Sequence, residues 1–124
     1  MLQEDGMIEK VPYDYLKERL APVPVYLAVP TPAPEEYVWL GKTGSGRRNR
    51  LDSAVFAFQS AAPTLERAAA LNEAVKAALD DSVTLDDIVR AQLNTDYNFT
   101  DDREMKETRR KQYRYQAVYD FVHY

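Results

Sequence analysis

One stretch of this chain has the residue types of a phosphate-binding loop: Gly41-Lys42-Thr43-Gly44-Ser45-Gly46. Glycine amides can wrap a phosphate, a lysine can neutralise it and a threonine can hold its magnesium. The spacing argues otherwise. Such a loop needs a glycine five residues before the Gly-Lys-Thr, and Glu36 stands there. The intervening Tyr37 to Leu40 reads as a strand and no suitable helix follows, so nucleotide binding is not expected. The carboxylate pairs Asp80/Asp81 and Asp86/Asp87 have the types for a metal or for acid–base work. Neither has a histidine beside it or the glycine-patterned loop of a calcium site, and both read as solvated. The chain has no cysteine and one histidine, His123. Disulfides, thiolate sites and cysteine nucleophiles are thereby excluded, and a Ser-His-Asp arrangement has only that late histidine as its base. Neither catalysis, nor a cofactor, nor a metal is expected.

Two groups of side chains suit binding instead. Lys42, Arg47, Arg48 and Arg50 make a locally basic segment in a chain of net charge −4. Arg103, Arg109, Arg110 and Lys111, followed by Arg114, lie beside Asp101, Asp102, Glu104 and Glu107. Together with Trp39, on an otherwise apolar strand, the eight basic residues from Lys42 to Lys111 are the candidate protein-interface positions. They suit an acidic neighbouring subunit or DNA phosphates; the plainer reading is solvated loops. Tyr113, Tyr115 and Tyr119 alternate as a base-stacking platform would. Ala117 and Phe121 share their face, however, which favours core packing.

The elements that position these residues follow from periodicity. At 124 residues, 45% hydrophobic and 29% charged, the chain has the size and composition of one globular domain. Residues 1–6 read as a loose lead and 7–124 as a single domain. A helix is predicted from Pro12 to Leu20, with Tyr13, Leu16 and Leu20 on one stripe; Pro22 and Pro24 end it. Val25 to Val29 is a short strand, followed by a proline-rich, polyproline-like connector to Pro34. Tyr37 to Leu40 is a second strand, Gly41 to Arg50 a mobile loop, and Leu51 to Ser60 a third strand. Pro63-Thr64 opens an alanine-rich helix from Leu65 to about Leu79. Its end at Asp80-Asp81 has the wrong charge for a helix C-terminus, so burial must hold it. Val89 to Phe99 alternates, with Val89, Ala91, Leu93, Thr95, Tyr97 and Phe99 on one face. Asp101 to Lys111 reads as a hairpin tip, and Gln112 to Tyr124 alternates again. The expected fold is α+β: a mainly antiparallel sheet of four to five strands with two helices packed on it, in the order α-β-β-β-α-β-β.

The acidic balance argues against broad nucleic-acid or membrane-surface binding. No apolar run reaches the length of a membrane span, and Met1 to Lys10 lacks the apolar segment of a secretion signal. A cytoplasmic location is expected, with the Asn98-Phe99-Thr100 sequon unused.

Taken in order, these segments resemble the tail-completion, or tail-terminator, proteins of long-tailed bacteriophages and prophages, often labelled minor capsid or head-tail joining proteins. The resemblance runs from Met7 to Tyr124. It is carried by Met7-Ile8-Glu9-Lys10-Val11-Pro12-Tyr13-Asp14-Tyr15-Leu16, Pro24-Val25-Tyr26-Leu27, and Glu36-Tyr37-Val38 leading to Lys42-Thr43-Gly44-Ser45-Gly46-Arg47. Further carriers are Asp52-Ser53-Ala54, Leu71-Asn72-Glu73, Leu93 to Asp101 and Arg114-Tyr115-Gln116-Ala117-Val118-Tyr119-Asp120. None of these is a chemical motif. The resemblance implies two helices on an antiparallel sheet and assembly into a ring, commonly six-fold. The ring caps the tail tube and joins it to the head connector, with DNA passing through its lumen without specific binding. It implies no enzymatic activity and no cofactor, and it places the protein in the host bacterial cytoplasm during assembly and then at the virion head–tail junction. Another head–tail adaptor, or a small nucleic-acid-binding domain, is the alternative.

Overall fold

The computed structural model describes residues 8–48, 51–80, 88–105 and 110–123. The order is α1 (Lys10–Arg19), β1 (Val25–Tyr26), β2 (Tyr37–Arg48), β3 (Leu51–Ala62), α2 (Leu65–Asp80), β4 (Ile88–Met105) and β5 (Arg110–His123). This is the predicted α-β-β-β-α-β-β succession. The five strands form one sheet in the order β1-β2-β3-β5-β4, antiparallel except for the β1–β2 pair. The proposed lead, residues 1–6, lies outside the described residues, as do Asp81, Asp86 and Asp87.

Alternation along β3 and β5 builds the core. Their register sets Ala54 opposite Phe121, Phe56 opposite Tyr119 and Phe58 opposite Ala117. Alanines thus stand opposite Phe121 and Phe58 on either side of the Phe56–Tyr119 pair, and the rings interlock diagonally. Phe56 meets Phe121 edge to face at 5.3 Å between centroids, and Phe58 meets Tyr119 at 6.0 Å and 89°. All four aromatic side chains are fully buried. Against them α2 lays Ala68, Leu71, Val75, Ala78 and Leu79, and α1 contributes Leu16. Alanines let the helix backbone approach the sheet closely.

Capping explains where the helices begin and how they end. Thr64 accepts the Arg67 amide on its hydroxyl at 3.2 Å and the Ala68 amide on its carbonyl at 3.0 Å, a working N-cap. Pro12 is tolerated because it falls in the first turn of α1, where its missing N–H leaves no bond unmade. The acidic end of α2 is held from outside. The Tyr15 hydroxyl donates to the Ala78 carbonyl at 2.7 Å, and the Tyr119 hydroxyl donates to Asp80 Oδ1 at 3.2 Å. Leu79 beside them is fully buried. Burial, and then the Asp80 carboxylate, push the ionisation of Tyr119 well above the ordinary tyrosine range, so it remains a donor.

Three expectations are corrected. Gly41 to Arg50 is strand as far as Arg48: β2 pairs with β3 from Tyr37↔Ala61 to Arg48↔Leu51. Ladder bonds hold this glycine-rich segment, and a bulge between Lys42 and Gly44 absorbs one extra residue, with the Thr43 hydroxyl donating to the Val55 carbonyl at 3.2 Å. Asp101 to Lys111 is likewise strand at both ends, with Glu104 opposite Lys111 in the register. The third correction concerns β4. A register shift between Leu93 and Thr95 breaks its alternation, and Asp96 instead of Thr95 or Tyr97 stands opposite Ala117. There it accepts from Asn72 Nδ2 at 2.8 Å and pairs with Lys76, which also meets Glu73 at 2.8 Å. The hydrogen bond from Lys76 to Asp96, then that to Glu73, raises the Lys76 ionisation above the usual lysine range.

A bidentate pair joins the chain before β2 to the start of α2. Arg67 Nε and Nη2 donate to the two Glu36 oxygens at 2.9 and 2.7 Å. The Arg67 hydrogen bond holds the Glu36 carboxyl below the usual glutamate range. Its stabilising effect is therefore fully present above that range and lost as pH falls through the lowered value. Urea unfolding across acidic pH should show the wild-type protein losing slightly more stability than Glu36→Gln. Parallel pH profiles would exclude the clamp. In the core, Phe58→Ala is expected to cost about 3–5 kcal/mol in the same assay, because little around the site can collapse.

Candidate functional surface

The helices cover one face of the sheet only. On the other face the register lines up Trp39, Gln59 and Gln116 in one row and Tyr37, Ala61 and Arg114 in the next. These rows meet in an open depression of about 220 Å3 lined by Val29, Tyr37, Trp39, Gln59 and Arg114. Polar groups there form a chain. Arg114 Nη1 donates to Gln59 Oε1 at 3.2 Å, and Gln59 Nε2 donates to Gln116 Oε1 at 2.8 Å. Arg114 is only 8% exposed, unusual for an arginine on a sheet face that no helix covers.

Trp39 has a structural task. Its indole Nε1 donates to the Leu27 carbonyl at 2.9 Å, tying down the stretch after β1. Its ring lies over Gly41, where an added Cβ would come within 2.5 Å of the ring. Glycine is thus required at 41 by the close approach of an aromatic two residues away on the same strand. That requirement accounts for the first glycine of the phosphate-loop look-alike.

The other described candidate residues are spread over β2, β4 and β5. Lys42 is exposed on β2, and Arg47 and Arg48 fall at the far end of that strand. Arg103 is on β4; Arg110 and Lys111 open β5. Arg50 and Arg109 lie outside the described residues. The fold therefore distributes the described ones over two hairpins, β2–β3 and β4–β5, and does not gather them in one concave site. Of the three strand tyrosines, Tyr119 is fully buried against Phe58 and Phe121, so the three make no common stacking platform. Among the described residues, no three His, Cys, Asp or Glu side chains are grouped to hold a metal ion, and no helix is long and apolar enough to cross a membrane.

Gln59 and Gln116 carry no site motif in the sequence, where Arg114 falls among the hairpin charges. Their signal is the polar interruption of otherwise apolar alternating strands, visible only once β3 and β5 are set in register. The depression offers amide and guanidinium hydrogen bonds beside an aromatic ring, the chemistry of a recognition surface. No protein-family model matches the chain, and no curated protein matches its sequence.

Trp39 is the sole tryptophan, so this surface reports on itself. Gly41→Ala is expected to displace the indole, shift its fluorescence to the red and cost about 1–3 kcal/mol in urea unfolding. An unchanged emission spectrum would show that the ring does not depend on Gly41.

Proposed function

We propose that this chain is a structural subunit of a long-tailed phage or prophage, one that forms a ring on the tail tube and joins it to the head connector. The observation that supports this best is the mismatch between sheet and helices. The 12 residues of β2 and of β3 extend about 40 Å, and the 18 of β4 about 60 Å. The 16 residues of α2 span about 24 Å. The two described helices do not cover so long a sheet, and among the described residues one face carries no helix. A sheet left so incompletely covered suits a subunit whose neighbours complete it.

The role needs no catalytic site. It needs hairpins that engage a tube and a connector, and a lumen that does not hold DNA phosphates. The net charge of −4 agrees with the last requirement. In this reading the basic residues Lys42, Arg47, Arg48 and Arg50 meet an acidic neighbour. The alternative of nucleic-acid binding loses its aromatic platform to the core.

Electron microscopy of the purified protein mixed with tail tubes tests the reading; rings seated on tube ends are expected. Replacing Arg47, Arg48 and Arg50 by alanine should leave the circular dichroism spectrum and melting temperature nearly unchanged and reduce ring attachment several-fold. Protein that remains monomeric and unattached in every mixture would overturn the role.

A further inference from the structure

β4 is last in the strand order and pairs with β5 alone among the described residues. Its middle lies between two irregularities. Leu93 stands opposite Tyr119 and Thr95 opposite Val118, so Asn94 is one residue too many for the ladder. Regular pairing then runs from Thr95↔Val118 to Phe99↔Arg114 and stops at a second shift before Arg103↔Gln112. A slip of this segment by one residue has a definite outcome. Asn94 enters the ladder opposite Val118, Thr95 moves opposite Ala117 and Asp96 opposite Gln116, while Phe99 joins the residues left out at the second shift. Five residues are paired before the slip and five after it. The ladder itself does not choose between the two registers.

Side chains choose. In the bulged register Asp96 lies on the helix-covered face, where it accepts from Asn72 Nδ2 at 2.8 Å and pairs with Lys76 of α2. Asn72 is 1% exposed, so its amide has no bulk water to replace that acceptor. The sequence pattern pulls the other way. Ala91, Leu93 and Thr95 alternate with Gln92, Asn94 and Asp96 without a break. Unbroken alternation is the arrangement of the slipped register, with Thr95 turned to the α2 side and Asp96 to the bare face. Thr95 would then bring a hydroxyl to the position that the carboxylate leaves. Little else fastens this part of β4: Gln92, Leu93, Asn94 and Thr95 are all exposed. The Asn94 amide donates to Asp120 Oδ2 at 3.1 Å, and Asp120 shares a face with Val118, which Asn94 would oppose after the slip.

We infer that β4 is a two-register strand, kept in the bulged register by the grip of Asn72 and Lys76 on Asp96 and released to slip by one residue when that grip is lost. The slip carries a carboxylate from the helix-covered face to the row of Trp39, Gln59 and Gln116, beside that of Arg114. It thereby changes the charge of the helix-free surface without unfolding the sheet. The device does not depend on the assembly role proposed above.

Paired cysteines read the register in this cysteine-free chain. Thr95→Cys/Val118→Cys joins positions that are opposite in the bulged register. Thr95→Cys/Ala117→Cys joins positions that are opposite only after the slip. Each pair is equilibrated in a glutathione buffer in three backgrounds: otherwise wild type, with Asp96→Ala, and with Lys76→Met. In the wild-type background the 95–118 pair is expected to close and the 95–117 pair to stay open. Either substitution should raise closure of 95–117 relative to 95–118 by roughly tenfold or more, with the circular dichroism of the folded sheet retained. Ala117 is fully buried. If cysteine there unfolds the chain, Asp96→Cys/Gln116→Cys takes its place; this pair removes the carboxylate, is opposite only after the slip and is expected to close. A 95–118 preference that survives both substitutions overturns the inference, as does a 96–116 pair that stays open. So does a wild-type background that closes both pairs equally, or a substitution at Asp96 or Lys76 that melts the sheet instead of shifting it.

Discussion

The meeting of β3 with β5 is the constraint on which this structure depends. Phe56, Phe58, Tyr119 and Phe121 interlock only because that register puts alanines opposite Phe58 and Phe121. A slip of one residue would turn the whole set to the other face. Once the register is fixed, the aromatic layer offers α2 a surface that its alanines, leucines and valine match. α2 in turn supplies Ala78 as the acceptor for Tyr15, which seats α1. The acidic end of α2, unfavourable by its own dipole, is acceptable because two tyrosine hydroxyls and the burial of Leu79 hold it.

Burying so much aromatic surface on one side decides what the other side has to offer. It retains Trp39, tied to Leu27 and spread over Gly41, and the chain of Arg114, Gln59 and Gln116. Charges that looked in the sequence like two floppy loops are carried instead on the far parts of two hairpins. A rigid strand presents a charge at a fixed height and spacing, which a loop does not. That arrangement is better suited to defined contacts than to loose electrostatic capture.

Element types and order were legible in the sequence because they depend on local periodicity. The alternation in β3 and β5 and the helical spacing from Leu65 onward are unambiguous. Strand lengths were not legible, for two reasons. Glycine, serine and arginine at 41–48 lack strand propensity, and the ladder with β3, not their own preference, makes them a strand. The bulge near Asn94 leaves no mark in a sequence that alternates smoothly through it, so the placement of Asp96 beside Asn72 and Lys76 came from tertiary contacts alone. The polar chain on the helix-free face was hidden for a related reason. Gln59 and Gln116 are far apart in sequence and become neighbours only through the central register.

Strand connectivity also bears on how the chain reaches this state. The hairpins β2–β3 and β4–β5 each join segments adjacent in sequence, so each can zip locally at little loop-closure cost. The β3–β5 seam unites residues 52–62 with 113–123, across α2 and the whole of β4. Native contact between the two hairpins therefore depends on closing this long loop, a larger entropic cost than either hairpin meets alone.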